Sequence, residues 1–146
     1  MNRILDEQVA QMRGFNRFYT NLIGLLNNHI YESPYSLTEV RVLYEINNGE
    51  NVTARGIMET ISIDEAYLSR IILKFQKEKL LKKEQSRTDK RVYYISPTEK
   101  GRKVFGTLND RSQESLKNLL DKLSVAERAS LINHLQQVQQ LLNKTV

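Results

Sequence analysis

The sequence predicts a mainly α-helical fold with a minor β component: a small helix-and-hairpin centre flanked by long helices. Three observations predict it. Six glycines and two prolines in 146 residues are too few for a turn-dense β sandwich and suit few, long helices. Apolar residues recur at helical period along most of the chain. Four Ser-x-x-Glu boxes, Ser36/Glu39, Ser62/Glu65, Ser96/Glu99 and Ser124/Glu127, mark helix starts, because the hydroxyl accepts from an orphan N–H while the carboxylate reaches back. A chain of this length buries roughly two-thirds of its unfolded surface, enough to fold without a metal or disulfide.

The first helix spans about 3–30, with apolar groups at 4, 5, 9, 12, 15, 19, 22, 23, 26 and 30. At 1.5 Å per residue it is a rod of about 40 Å, longer than a small domain needs. A second helix runs from Ser36 to about Asn47 and stops at Asn47-Asn48-Gly49. A short helix at about 53–61, a turn through Ser62–Asp64 and a helix to about Lys79 follow, with Asp64 competing with Ser62 as the cap. Leu80–Gln85 and Val92–Ile95 are strands around the polar loop Ser86–Arg91. Two helices, about 97–121 and 125–144, close the chain. Pro97 suits the first position of the former. Leu131, Leu135, Val138 and Leu142 repeat at 4-3-4 spacing on the latter, the seam of a packed helix pair. Helix-turn-helix plus hairpin reads as a winged helix-turn-helix. Residues 1–146 form one domain: an N-terminal dimerisation helix (1–35), the winged helix (36–96) and C-terminal dimerisation helices (97–146). The flanking helices carry more apolar stripe than the small core can cover, so a second copy is expected to cover them through Leu5, Val9, Leu131, Leu135 and Leu142.

Charge is unevenly placed. Residues 68–104 hold twelve Lys or Arg against four acids, a balance of +8, leaving −3 elsewhere in a chain of net charge +5. Such a concentration points to a polyanion. On the 64–79 helix, Leu68, Ile71, Ile72 and Phe75 form the inward stripe. Ala66, Arg70 and Lys77 then face outward, with Tyr67, Ser69 and Lys74 on the flanks. Ala66 permits close approach to a major groove, and Arg70 can grip guanine or phosphate. Leu73 also falls on the outward side, against the wing or a thymine methyl if it has a role. The loop adds Arg87, Lys90 and Arg91 for a phosphate ridge or minor groove, with Asp89 placed to orient Arg91. The plain alternatives are a solvated amphipathic helix and an ordinary polar hairpin tip.

Other chemistry is sparse. There is no cysteine, which excludes a disulfide framework, a thiol nucleophile and the usual structural zinc sites. His29 and His134 lie on different helices without metal-ligand spacing, and no Ser-His-Asp set, Walker loop or dinucleotide fingerprint appears. No cofactor and no enzyme activity are expected. No apolar run could span a bilayer, and the acids in Met1–Glu7 speak against a secretory signal, so the expected compartment is the cytoplasm.

Leu37-Thr38-Glu39 with Arg41-Val42-Leu43-Tyr44-Glu45-Ile46, then Tyr67-Leu68-Ser69-Arg70, Asp89-Lys90-Arg91 and Thr98-Glu99-Lys100-Gly101, resemble the MarR family of winged-helix transcription regulators over nearly the whole chain. Pro97 departs from it, standing where the family usually has leucine. The resemblance implies a homodimer on a pseudo-palindromic double-stranded DNA operator, acting as a repressor. It further implies a reading helix in the major groove and Arg91 in the minor groove, steadied by Asp89. Aromatic residues Phe15, Phe18, Tyr19, Tyr31, Tyr35 and Tyr44 gather near the junction where family members often bind small aromatic or anionic effectors. Arg13, Phe15, Arg17, Tyr19 and Tyr44 are the candidate pocket, although aromatics at helical spacing are more often core. Residues 13–39 also resemble the regulator half of MarR proteins fused to a GNAT-type acetyltransferase. No coenzyme A loop accompanies them, so the chain is expected to be a free-standing regulator or an excised half. A winged helix used for protein–protein assembly remains the competing class.

Overall fold

The computed structural model describes residues 3–27 and 33–145. Its elements are α1 (Arg3–Leu26), α2 (Leu37–Asn48), α3 (Ala54–Ile61), α4 (Glu65–Lys77), β1 (Leu81–Gln85), β2 (Tyr93–Pro97), α5 (Glu99–Leu120) and α6 (Val125–Leu142). Among the described residues the order is the one the sequence predicts. Residues 28–30 of the predicted first helix, with Tyr31, lie outside the described residues, as does His29. Two compact units result, Met1–Ser112 and Gln113–Val146.

In the first unit, α2 opens on a complete capping box. The Glu39 amide donates to the Ser36 hydroxyl at 3.2 Å, and the Ser36 amide donates to the Glu39 carboxylate at 2.9 Å. The helix ends at Asn48 as expected, but Gly49 is extended (φ −89°) rather than left-handed. Thr53 caps α3, accepting from Gly56. The cap of α4 is Asp64, which accepts from the Tyr67 amide at 2.9 Å. Ser62 is instead the left-handed terminus of α3 (φ 52°), so its box with Glu65 does not form. The end of α4 is a Schellman turn with Lys79 at the left-handed position (φ 60°). Leu80 N–H donates to the Phe75 carbonyl and Lys79 N–H to that of Gln76, and Phe75 and Leu80 are both fully buried in the core.

The hairpin pairs antiparallel from Leu81↔Pro97 to Gln85↔Tyr93. Ile95 N–H also donates to the Val52 carbonyl at 2.7 Å, tying the wing to the segment before α3. Ser96 and Pro97 therefore belong to β2, and the expected Ser96/Glu99 helix start is corrected to Thr98. Its hydroxyl donates to the Lys79 carbonyl at 2.6 Å and accepts from Gly101 N–H at 3.0 Å. Gly101 sits against the Leu80 carbonyl so closely that a Cβ would collide with it.

Val42, Leu43 and Ile46 of α2, Ile57 of α3, and Leu68, Ile71, Ile72 and Phe75 of α4 make the core. Leu80, Leu81, Ile95 and Leu108 complete it. The predicted inward stripe of α4 is thus wholly buried. In the second unit, α6 carries a capping box at Ser124/Glu127. The Ser124 amide and hydroxyl, in that order, hold the Glu127 carboxyl below its ordinary pKa. Arg128 pairs with Asp121 at 3.5 Å. No residue of α1 or α6 is buried.

Candidate nucleic-acid interface

Burial of one stripe of α4 fixes what the opposite stripe must present. Ala66, Tyr67, Ser69, Arg70, Leu73 and Lys77 are all exposed. The Arg70 guanidinium lies over the Tyr67 ring, 5.7 Å from its centroid, an arrangement in which the ring face attracts the cation and limits its wandering.

Lys74 has a different occupation. Its ammonium sits 2.8 Å from the Glu39 carboxylate and 5.2 Å from the Tyr35 ring centroid. Tyr35 in turn donates its hydroxyl to Glu78 at 2.8 Å and meets Phe75 edge-on. Partial burial, then the bond to Glu78, pushes the Tyr35 phenol up to about 12. These contacts hold α4 against the start of α2. Glu39 and Glu78 were not legible as partners of Lys74 and Tyr35, since 35 and 43 residues separate the pairs.

The wing tip is ordered by its own short polar groups. Ser86, buried, accepts at its hydroxyl from the Thr88 and Asp89 amides, each at 3.3 Å. Gln85 donates from its side-chain amide to the Lys90 carbonyl at 2.6 Å. The Asp89 carboxylate accepts from the Arg91 amide at 3.0 Å and lies 3.4 Å from its guanidinium. Arg87, Lys90 and Arg91 remain exposed. A surface ion pair like Asp89–Arg91 adds little stability; what it does is limit the directions open to the guanidinium. Ser86 and Gln85 were missed as supports of the tip. A serine opening a polar turn with Asp three positions on was the available signal.

The remaining candidates fall elsewhere. Arg13, Phe15, Arg17 and Tyr19 lie exposed on α1, with the Phe15 and Tyr19 rings stacked at 5.5 Å. Tyr44 is on α2, where its ring meets Phe105 of α5 at 6.0 Å and takes the Arg41 guanidinium on its face at 5.4 Å. Leu5, Val9, Leu131, Leu135 and Leu142 are exposed. Among the described residues, no group of three or more His, Asp or Glu could hold a metal, and no helix is long and apolar enough to cross a membrane.

A model of the MarR family matches residues 33–92, the span from just before α2 to the loop that leads into β2. The HTH-type transcriptional regulator PchR of Bacillus subtilis is 25% identical over 112 residues, which cover 75% of this chain and 66% of PchR; the match thus spans just under two-thirds of that regulator. A MarR family protein from Bacillus stearothermophilus shares the fold at a TM-score of 0.79 and 18% identity, over 98% of this chain and 99% of that one. FabT of Streptococcus pneumoniae, solved in complex with DNA, does so at 0.74 and 18%, over 90% of this chain and 99% of FabT. The family is one of transcription regulators, not of enzymes, and the likeness to acetyltransferase fusions finds no counterpart in these matches. The family model's match over the helix-turn-helix and first wing strand, and a winged-helix fold shared along nearly the whole chain, make this chain similar to the transcriptional regulators of the MarR family.

Proposed function

We propose that the chain is a homodimeric, sequence-specific binder of double-stranded DNA that acts in the cytoplasm as a repressor on a pseudo-palindromic operator. One observation carries the reading: the exposed stripe of α4, with Ala66, Arg70 and Lys77 opposite the buried core and Tyr67 and Ser69 beside it, in a unit whose hairpin tip offers Arg87, Lys90 and Arg91. A small residue beside cations suits base edges in a major groove, and arginine on a thin projection suits the negative potential of a minor groove. FabT's DNA complex shows a protein of this fold engaged with a duplex. Lys74 belongs to the reading only through what its pair with Glu39 leaves it free to reach.

A small aromatic or anionic effector, held by Arg13, Phe15, Arg17, Tyr19 and Tyr44, would relieve repression by favouring a dimer geometry that misaligns the two reading helices. A coupling of about 1–3 kcal/mol suffices. The alternative that the chain is the regulatory half of an acetyltransferase fusion, suggested by the likeness of residues 13–39, is tested by reading the gene beyond codon 146.

Selection of bound fragments from the native genome, followed by gel shifts, tests the function. Arg70→Ala is expected to lose discrimination between selected and random duplexes. Lys90→Ala is expected to weaken all duplexes alike and flatten the salt dependence by about one unit of slope. Wild-type protein that retains no duplex in a salt-sensitive, site-selective way overturns the reading in favour of a protein-assembly module.

A further inference from the structure

On α4, Ala66, Arg70, Leu73 and Lys77 follow one another at 4-3-4 spacing and so share one face, opposite Leu68, Ile71, Ile72 and Phe75. Leu73 is 56% exposed and lies outside the hydrophobic core. Its neighbours one turn away on either side are Arg70 and Lys77. An apolar side chain set between two cations on a solvent face gains nothing from water and has no charge to contribute. The cations select a polyanion, and among the base edges that a duplex offers between its phosphates, the apolar group is the 5-methyl of thymine in the major groove.

We infer that Leu73 is a specificity residue that reads a thymine methyl in each half-site, beside the base or phosphate taken by Arg70. The inference rests on the DNA reading above and adds to it a base identity. Arg70 and Lys77 bring the helix to the groove through charge, which is largely blind to sequence. Leu73 rewards only a thymine at its own position, since cytosine presents hydrogen there and guanine and adenine present polar atoms.

The test begins with duplexes enriched by the wild-type chain from a random pool. Each thymine is replaced in turn by deoxyuridine, which removes the methyl and keeps every hydrogen bond, and affinity is followed by fluorescence anisotropy. At one thymine per half-site the wild type is expected to lose about fourfold, the worth of one buried methyl. Leu73→Ala and Leu73→Gln are expected to bind the thymine and uracil duplexes equally, with helix content by circular dichroism and salt slope unchanged. Both variants keep a helix-forming residue at an exposed position, so the fold is preserved. Wild-type protein indifferent to uracil at every position overturns the inference alone, as does a Leu73→Ala variant that keeps the fourfold loss. A wild type that enriches no duplex overturns the DNA reading and the inference with it.

Discussion

Tyr35 shows how a single hydroxyl can help to fix the exposed face of a helix. Its bond to Glu78 reaches the residue that caps the end of α4 from the residue just before the α2 cap, and Lys74 and Glu39 make a second tie beside it. The phenol is raised from an ordinary value of about 10 to about 12. Its contribution to stability is therefore complete below about pH 10 and is lost as the pH climbs through about 12. Tyr35→Phe is expected to lose about 1 kcal/mol at neutral pH, with the difference from wild type vanishing across that alkaline window in urea unfolding. A difference that stays constant to pH 12 would count against the bond. At this scale the sequence shows which α4 residues face out, because a helix's own period settles that. It does not show that Lys74 is occupied, because Glu39 comes from another element.

Caps and turns decide where each element begins, and they divide sharply by how local their partners are. The boxes at Ser36/Glu39 and Ser124/Glu127 form because everything they need lies within four residues. Ser62 fails because the chain must reverse after α3, which leaves that serine left-handed, and Asp64 takes the cap of α4. Ser96 fails because its backbone pairs with Lys82 in the hairpin, while Thr98 reaches back to Lys79. Asp64→Ala is expected to cost about 1 kcal/mol in chemical denaturation and to weaken DNA binding with it, since the uncapped turn carries Ala66 and Tyr67. Asp64→Ser is expected to restore most of both; a Ser variant as poor as Ala would mean the carboxylate acts by charge rather than as a cap.

At the scale of the molecule, the outstanding fact is apolar surface left in water. Leu5 and Val9 on α1 and Leu131, Ile132, Leu135 and Val138 on α6 are each more than a third exposed, so each helix by itself carries an apolar stripe of the kind found at interaction surfaces. A second copy is the proposed cover. Leu135→Glu, at an exposed position where the monomer's packing is untouched, is expected to yield monomer by sedimentation at micromolar concentration and to lose operator binding. A variant that stays dimeric places the interface elsewhere. The sequence by itself determined the element order, the buried stripe of α4, the cationic face opposite it and the surplus apolar stripes. All of these follow from side chains three or four positions apart along a helix or two apart along a strand. Only the tertiary structure decided which serines cap, why Gly101 must lack a side chain against Leu80, and how Glu39 and Glu78 hold α4. Those depend on groups brought together from distant positions, and no local period in a sequence encodes such meetings.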